Sequence, residues 1–202
     1  MTDTRRALLD DLSDELTTQH RGPRVMVAID GVDGAVTAPF ADAWAEVLRE
    51  RGVFVVRASV DDFPRPSAER QIRAAEPADS SSRDAFDVDA VRTQLIVPFR
   101  SGESTVATGL DDRAEASAHR IVDVPELAVL LVDGVFLHSP ELVQVWHRSV
   151  WLEVAGDLAA ARVPAGEAQA RYRREVAPQR AATIVIDYAD PAHPARTFAD
   201  FC

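Results

Sequence analysis

Lysine is absent from this chain: all 22 basic residues among the 202 are arginines. No ε-amine can therefore act as a cationic grip anywhere in the molecule. Cysteine is nearly absent too. The single one, Cys202, is the last residue, which excludes an internal disulfide framework and any cysteine-ligated zinc. Apolar runs long enough to span a bilayer are missing, and the N-terminal residues are charged and polar, without the apolar core of a signal peptide. Five histidines (His20, His119, His138, His147, His193) are scattered without metal-ligand spacing. No G-x-S-x-G elbow and no internal repeat occur. Acidic residues outnumber basic ones, 33 to 22, for a net charge of −11 and a pI near 4.8. That balance argues against nucleic acid and against anionic membrane surfaces as partners. The expectation is a soluble, cytoplasmic protein.

What is present is the pattern of one α/β domain over residues 1–202, large enough to bury a sizeable core. Leu8, Leu9, Leu12 and Leu16 recur at helical spacing within an N-terminal helix (residues 1–22), with Asp3 or Thr4 as its cap. Val25–Ile29 is a continuous apolar strand. A helix over Pro39–Arg51 carries Phe40, Trp44, Val47 and Leu48 on one side and closes at Gly52. Val53–Ala58 is a second strand. The polar stretch Pro64–Arg83 has no periodicity and reads as a loop. Asp87 caps a helix over Val88–Val97, and Pro98–Glu126 reads as short strands and turns. Ala128–Val132 is a second fully apolar strand of the kind buried in a parallel sheet. A short helix near Pro140, a strand at Val150–Val154, a helix from Gly156, an arginine-rich helix from about Gly166 and a strand at Thr183–Ile186 complete the order. Trp146 and Trp151 are expected in core or edge packing, and the tail Ala189–Cys202 on the surface. Strands alternating with helices predict a three-layer α/β fold with a mostly parallel sheet.

Between the first strand and the following helix lies the most informative segment, Asp30-Gly31-Val32-Asp33-Gly34-Ala35-Val36-Thr37-Ala38-Pro39. A phosphate-binding loop reads G-x-x-x-x-G-K-[ST]. Counted from Gly31, its second glycine, lysine and hydroxyl fall on Val36, Thr37 and Ala38. A β-branched Val36 fills the space through which a glycine backbone approaches phosphates. Thr37 carries no charge for the terminal phosphates, and Ala38 has no hydroxyl for Mg²⁺. Pro39 removes one more N–H, at a place where proline is tolerated. Some anion affinity can remain in the helix dipole and the other amides. Read as residues alone, the segment is a strand–turn–helix without a ligand. Asp61 and Asp62 read first as a capping or solvated pair, Asp133-Gly134 as a plain turn, and Arg171, Arg173 and Arg174 as a solvated face paired with Glu167 and Glu175.

Four segments taken in order carry a family resemblance: Val27–Ala35, Ser59-Val60-Asp61-Asp62-Phe63, Arg83-Asp84-Ala85-Phe86-Asp87 and Val129–Leu137. Together they resemble the uridine kinase-like branch of the P-loop kinases over most of the chain. The resemblance implies a three-layer P-loop NTPase-like fold, with residues 64–86 as a substrate-side loop, 156–180 as a lid-like helical region and 189–202 as a tail.

For the site, it implies that Asp61 is the carboxylate facing the acceptor hydroxyl, where it can orient and deprotonate the nucleophile. It places Asp62, Phe63, Asp84 and Arg171 beside the substrate. Gly31, Asp33, Gly34, Ala35, Val36, Thr37, Ala38 and the lid residue Arg162 fall around the nucleotide, and Asp133 near the metal. ATP and Mg²⁺ are the implied cofactors of an active protein, and an inactive one needs neither. A small molecule is the implied ligand, and a homo-oligomer is compatible with the resemblance. The chain departs from the family pattern at the loop, at Ser81, where nucleoside-specific relatives carry an aspartate, and at Val163–Gly166, which replaces the charged continuation of the lid. Two readings follow: a phosphotransferase with a weakened ATP site, or a non-catalytic descendant that binds a small molecule or a partner protein.

Overall fold

Val25 to Ile29 is apolar at every position, and a strand with no polar face must be covered on both sides. The computed structural model describes residues 1–19, 22–32, 34–65, 86–107, 120–154 and 167–197, and it places this strand inside a sheet. The strands of that sheet are β1 (Arg24–Gly31), β2 (Val55–Ser59), β5 (Ala128–Gly134), β6 (Arg148–Glu153), β7 (Ile184–Asp187) and β8 (Ala195–Thr197). Their order is β2-β5-β1-β6-β7-β8. All neighbours are parallel except β7 and β8. With the flanking helices this makes the expected three-layer α/β arrangement. A separate two-stranded antiparallel sheet pairs β3 (Thr105–Ala107) with β4 (Arg120–Val122), in the stretch read as short strands and turns.

Helices follow from their apolar stripes. α1 (Asp3–Gln19) buries Leu9, Leu12, Ser13 and Leu16, one turn apart on a single side. Its cap is Thr2, whose hydroxyl accepts the Arg5 N–H, one residue before the expected Asp3 and two before Thr4. α2 (Gly34–Glu50) buries Phe40, Trp44, Val47 and Leu48. The Trp44 indole N–H donates to the Ser13 hydroxyl at 3.1 Å and locks α1 onto α2. α2 ends in paired bonds from Gly52 N–H to the Arg49 carbonyl and from Val53 N–H to the Leu48 carbonyl. This is the Schellman closure that a glycine with φ of 79° permits. α3 runs through three consecutive pieces, Val88–Ala90, a π-helical Val91–Ile96 and Val97–Ser101, with Asp87 accepting the Ala90 N–H as its cap. α4 (Glu167–Glu175) and α5 (Pro178–Ala181) precede β7.

Several expectations need correction. α2 spans Gly34–Glu50, so it begins five residues before Pro39 and contains that proline. Val36, Thr37 and Ala38 are ordinary L-residues that take helical dihedrals readily. Pro39 sits in the second turn, where it forfeits one bond of the helix. No helix forms near Pro140. Residues 137–145 are a chain of turns held by bonds such as Leu142 N–H to the Ser139 carbonyl. β2 starts at Val55 rather than Val53, because Gly52 and Val53 are used in closing α2. The described part of the tail lies at the surface as expected, and it adds an edge strand, β8, paired antiparallel with β7 and tied to α1 by an Arg196–Glu15 ion pair. Trp151 is fully buried in β6, and Trp146 is half-buried with its indole N–H on the Leu137 carbonyl. Among the described residues, no helix is long and apolar enough to cross a membrane. The expected loop Pro64–Arg83 (apart from residues 64 and 65), residues 108–119 of the stretch Pro98–Glu126 and the helix expected from Gly156 lie outside the described residues.

Candidate functional site

Parallel strands deliver their C-terminal ends to one side of the sheet. In the register found here Ser59 pairs with Asp133, Ile29 with Asp133, and Asp30 with Gly134. The chain leaves β1 toward β2 on one side and reaches β6 on its other side, so the end of β1 is a topological switch point, where open α/β sheets place their ligands. Gly31, the 3-10 turn Val60–Asp62 and the turn after β5 meet there. Gly134 lies at φ of 142°, and a Cβ on it would come 2.2 Å from Val60 Cγ2. Only glycine allows the Asp61 turn to approach β5 this closely.

The loop itself is short. Only Val32 and Asp33 separate β1 from the first helical residue, Gly34, and Asp33 lies outside the described residues. A phosphate cradle uses a longer run of outward-pointing N–H groups. Here Gly31 N–H donates to Asp30 Oδ1 at 2.8 Å, and Val36 is buried in the core. Gly34 and Ala35 form the first residues of the helix. Thr37, in the lysine position of the motif, is fully buried, and its hydroxyl donates to Asp133 Oδ2 at 3.0 Å.

Arg57 of β2 closes this cluster. Its guanidinium donates to Asp133 Oδ1 at 2.5 Å, to the Ala58 carbonyl at 2.7 Å, to Asp42 Oδ1 at 3.0 Å and more weakly toward the Ala38 carbonyl at 3.4 Å. Asp133 is fully buried and Arg57 is 8% exposed. Burial pushes the Asp133 carboxyl above its ordinary range, against the pull of Arg57 and the Thr37 hydroxyl. Both carboxylate oxygens of Asp133 are thus engaged, one of them by a cation. A divalent ion needs those same oxygens with open coordination positions, so the donor set does not fit Mg²⁺. Among the described residues, no group of three or more His, Cys, Asp and Glu side chains converges as a metal site.

A second buried cluster surrounds Asp30. Its Oδ2 accepts the Tyr172 hydroxyl at 2.5 Å and the His138 main-chain N–H at 3.1 Å, and lies 2.8 Å from His138 Nδ1. Burial and the neighbouring Asp30 carboxylate hold the Tyr172 phenol far above its ordinary range. Tyr172 also packs edge-on against Phe136 at 4.9 Å between ring centres.

Of the residues singled out by sequence, the structure brings Gly31, Val36, Thr37, Ala38 and Asp133 together. The Asp61-Asp62-Phe63 turn lies next to them through Val60 and Gly134. Asp61 is exposed, Asp62 half-buried and Phe63 buried. Arg171 pairs with Glu175 at 3.5 Å on α4, whereas Arg173 reaches Glu153 of β6 at 2.9 Å rather than a glutamate of its own helix. Asp84, Ser81 and Arg162 lie outside the described residues. Sequence reasoning missed Asp30, Arg57, Asp42, His138 and Tyr172. For two of them a signal was present: Asp30 and Arg57 are charges in otherwise buried strands, and such charges must find partners.

No protein-family model and no curated protein matches the chain. Solved structures do. A possible uridine kinase from Bacillus stearothermophilus aligns with a TM-score of 0.72 over 90% of this chain and 98% of its own, at 21% identity. A protein described as a fructose transport system kinase from Silicibacter sp. TM1040 aligns with a TM-score of 0.60 over 88% and 93%, at 22% identity. The D-glycerate 3-kinase of Cryptococcus neoformans var. grubii aligns at 0.50 over 87% and 85%, with 12% identity. At these identities the likeness is one of fold. The chain has the fold of uridine kinase-like and related P-loop kinases.

Proposed function

We propose that this protein is a uridine kinase-like phosphotransferase homologue in which ATP-dependent transfer is weak or lost. One observation carries the reading: the residue in the lysine position, Thr37, is turned inward onto Asp133, and Arg57 supplies the only cation at that carboxylate among the described residues. Phosphoryl transfer depends on positioning and on charge stabilisation around the transferred group. Loss of the lysine alone costs on the order of several kcal/mol of transition-state energy, or thousands-fold in rate. The engaged oxygens of Asp133 support a second loss, that of the metal. The same geometry favours, as a second reading, a non-catalytic descendant that binds a small molecule or a partner protein at the strand ends.

The test is calorimetric titration with ATP, with and without Mg²⁺, together with nucleoside-dependent ADP release. The expected outcome is weak nucleotide binding that Mg²⁺ does not strengthen, and no turnover. The combined change Val36→Gly, Thr37→Lys and Ala38→Thr is expected to raise nucleotide affinity only in part, because Asp133 competes for the new ammonium, while turnover stays poor. Robust turnover by the unaltered protein would overturn the reading, and Asp61 would then be the carboxylate to replace next.

A further inference from the structure

α4 reaches the glycine turn with three side chains from one of its sides. Gln169, Tyr172 and Arg173 are spaced i, i+3 and i+4, which aligns them. Gln169 Nε2 donates to the Val32 carbonyl, one residue after Gly31. The Tyr172 hydroxyl donates to Asp30, one residue before it. Arg173 anchors the helix to Glu153 at the end of β6, and Gln179 of α5 bonds to the same carboxylate at 2.6 Å. The helix therefore grips the turn on both sides of Gly31.

The grip has a chemical consequence. An oxyanion at a strand–helix junction is held by main-chain N–H groups that point outward. The Gly31 N–H is bonded instead to Asp30 Oδ1. Asp30 is kept in that orientation by donors on its other oxygen, from Tyr172 and from His138. A carboxylate fixed there also repels an incoming anion.

We propose that α4 is a built-in clamp that holds the glycine turn in a self-bonded conformation closed to oxyanions, with Tyr172 and Gln169 as its two contacts. The clamp acts whether or not phosphoryl transfer survives. An oxyanion reaching Gly31 has to displace Tyr172 from Asp30 and Gln169 from Val32.

The experiment compares the full-length wild type with Tyr172→Phe, Gln169→Ala and the double variant, by amide hydrogen exchange and by calorimetric titration with pyrophosphate. Tyr172→Phe keeps the ring packing and removes only the hydroxyl, so the fold survives the change. In the double variant, exchange over residues 31–36 and along α4 should rise by about tenfold, with α1 and β5 unchanged. Pyrophosphate affinity should rise by about tenfold in parallel. Loop exchange equal to wild type in the double variant would overturn the proposal. So would an opened loop with unchanged pyrophosphate affinity, or a rise spread evenly through α1 and β5, which would make both side chains ordinary packing contacts.

Discussion

Replacing Arg57 by methionine keeps much of the side chain's length and removes its charge. The change leaves the fully buried Asp133 with the Thr37 hydroxyl as its remaining hydrogen-bond donor among the contacts described, and deprives the Ala58 carbonyl of a donor at 2.7 Å. Removing one partner of a buried ion pair costs about 3–5 kcal/mol, most of it the penalty of the stranded charge. With an m-value of roughly 2–3 kcal/mol per molar, the urea midpoint should fall by about 1.5 M. The assay is urea unfolding followed by circular dichroism, repeated from neutral to mildly acidic pH.

The pH series checks the cause. A carboxyl whose pKa is raised by burial takes up a proton on folding, so its penalty is largest above the raised value and shrinks as pH falls toward its ordinary range. Without Arg57 the raising cause is opposed only by the Thr37 hydroxyl among the contacts described, so the deficit of Arg57→Met should narrow as the solution is acidified. Adding Asp133→Asn removes the stranded charge while keeping an acceptor for Thr37, and should recover all but about 1–1.5 kcal/mol. A cost below about 1 kcal/mol, or a deficit that does not change with pH, would show that Arg57 and Asp133 are not a buried pair and refute the reasoning.

Both tyrosines of the chain, Tyr172 and Tyr188, are held above the ordinary phenol range, Tyr172 by burial and by Asp30, and Tyr188 by burial. Their protonated forms stabilise the fold fully below about pH 10, and this contribution is lost as pH rises beyond it, so phenolate absorbance should appear only together with unfolding; a phenolate step in the still-folded protein would refute this. Gly134→Ala puts a Cβ 2.2 Å from Val60 Cγ2 at a positive φ and should cost about 2–4 kcal/mol in thermal or urea unfolding, with the Asp61 turn displaced. A loss under about 1 kcal/mol would mean that β5 and the turn do not approach as described.

The fold was legible because its determinants are local. Val25–Ile29 and Ala128–Val132 carry no polar face, and Gly52 marks the close of α2, so the parallel core and its first crossover can be read from the chain. β8 was not legible: Ala195-Arg196-Thr197 is an edge strand whose pairing depends on β7, and nothing in its own composition signals it. The site divides in the same way. The defect at Val36, Thr37 and Ala38 is visible by counting from Gly31. The partners of Asp133 are not, since Arg57, 76 positions earlier, comes to it only through the register of β2 on β5. Tyr172 meets Asp30 across 142 positions, a contact set by how α4 docks rather than by any motif.

Those long-range partners change what the loss at the loop means. A phosphate loop with its lysine and metal presents excess positive charge to a polyanion. In this protein Asp133 of β5 and Asp42 of α2 share a single guanidinium, Arg57, and Asp30 at the end of β1 is held in a separate cluster by Tyr172 and His138. At an effective dielectric constant of about 20, each uncompensated carboxylate some 6 Å from a phosphate oxygen costs about 3 kcal/mol. Restoring a lysine at position 37 adds one positive charge, but it also removes the hydroxyl that now satisfies Asp133 Oδ2. The new ammonium would find Asp133 nearer than any phosphate. The loop substitutions and the buried Arg57–Asp133 pair therefore form one arrangement: Thr37 suits a carboxylate that a guanidinium already occupies, and the polyanion affinity of the site depends on Arg57 and Asp133 as much as on the loop.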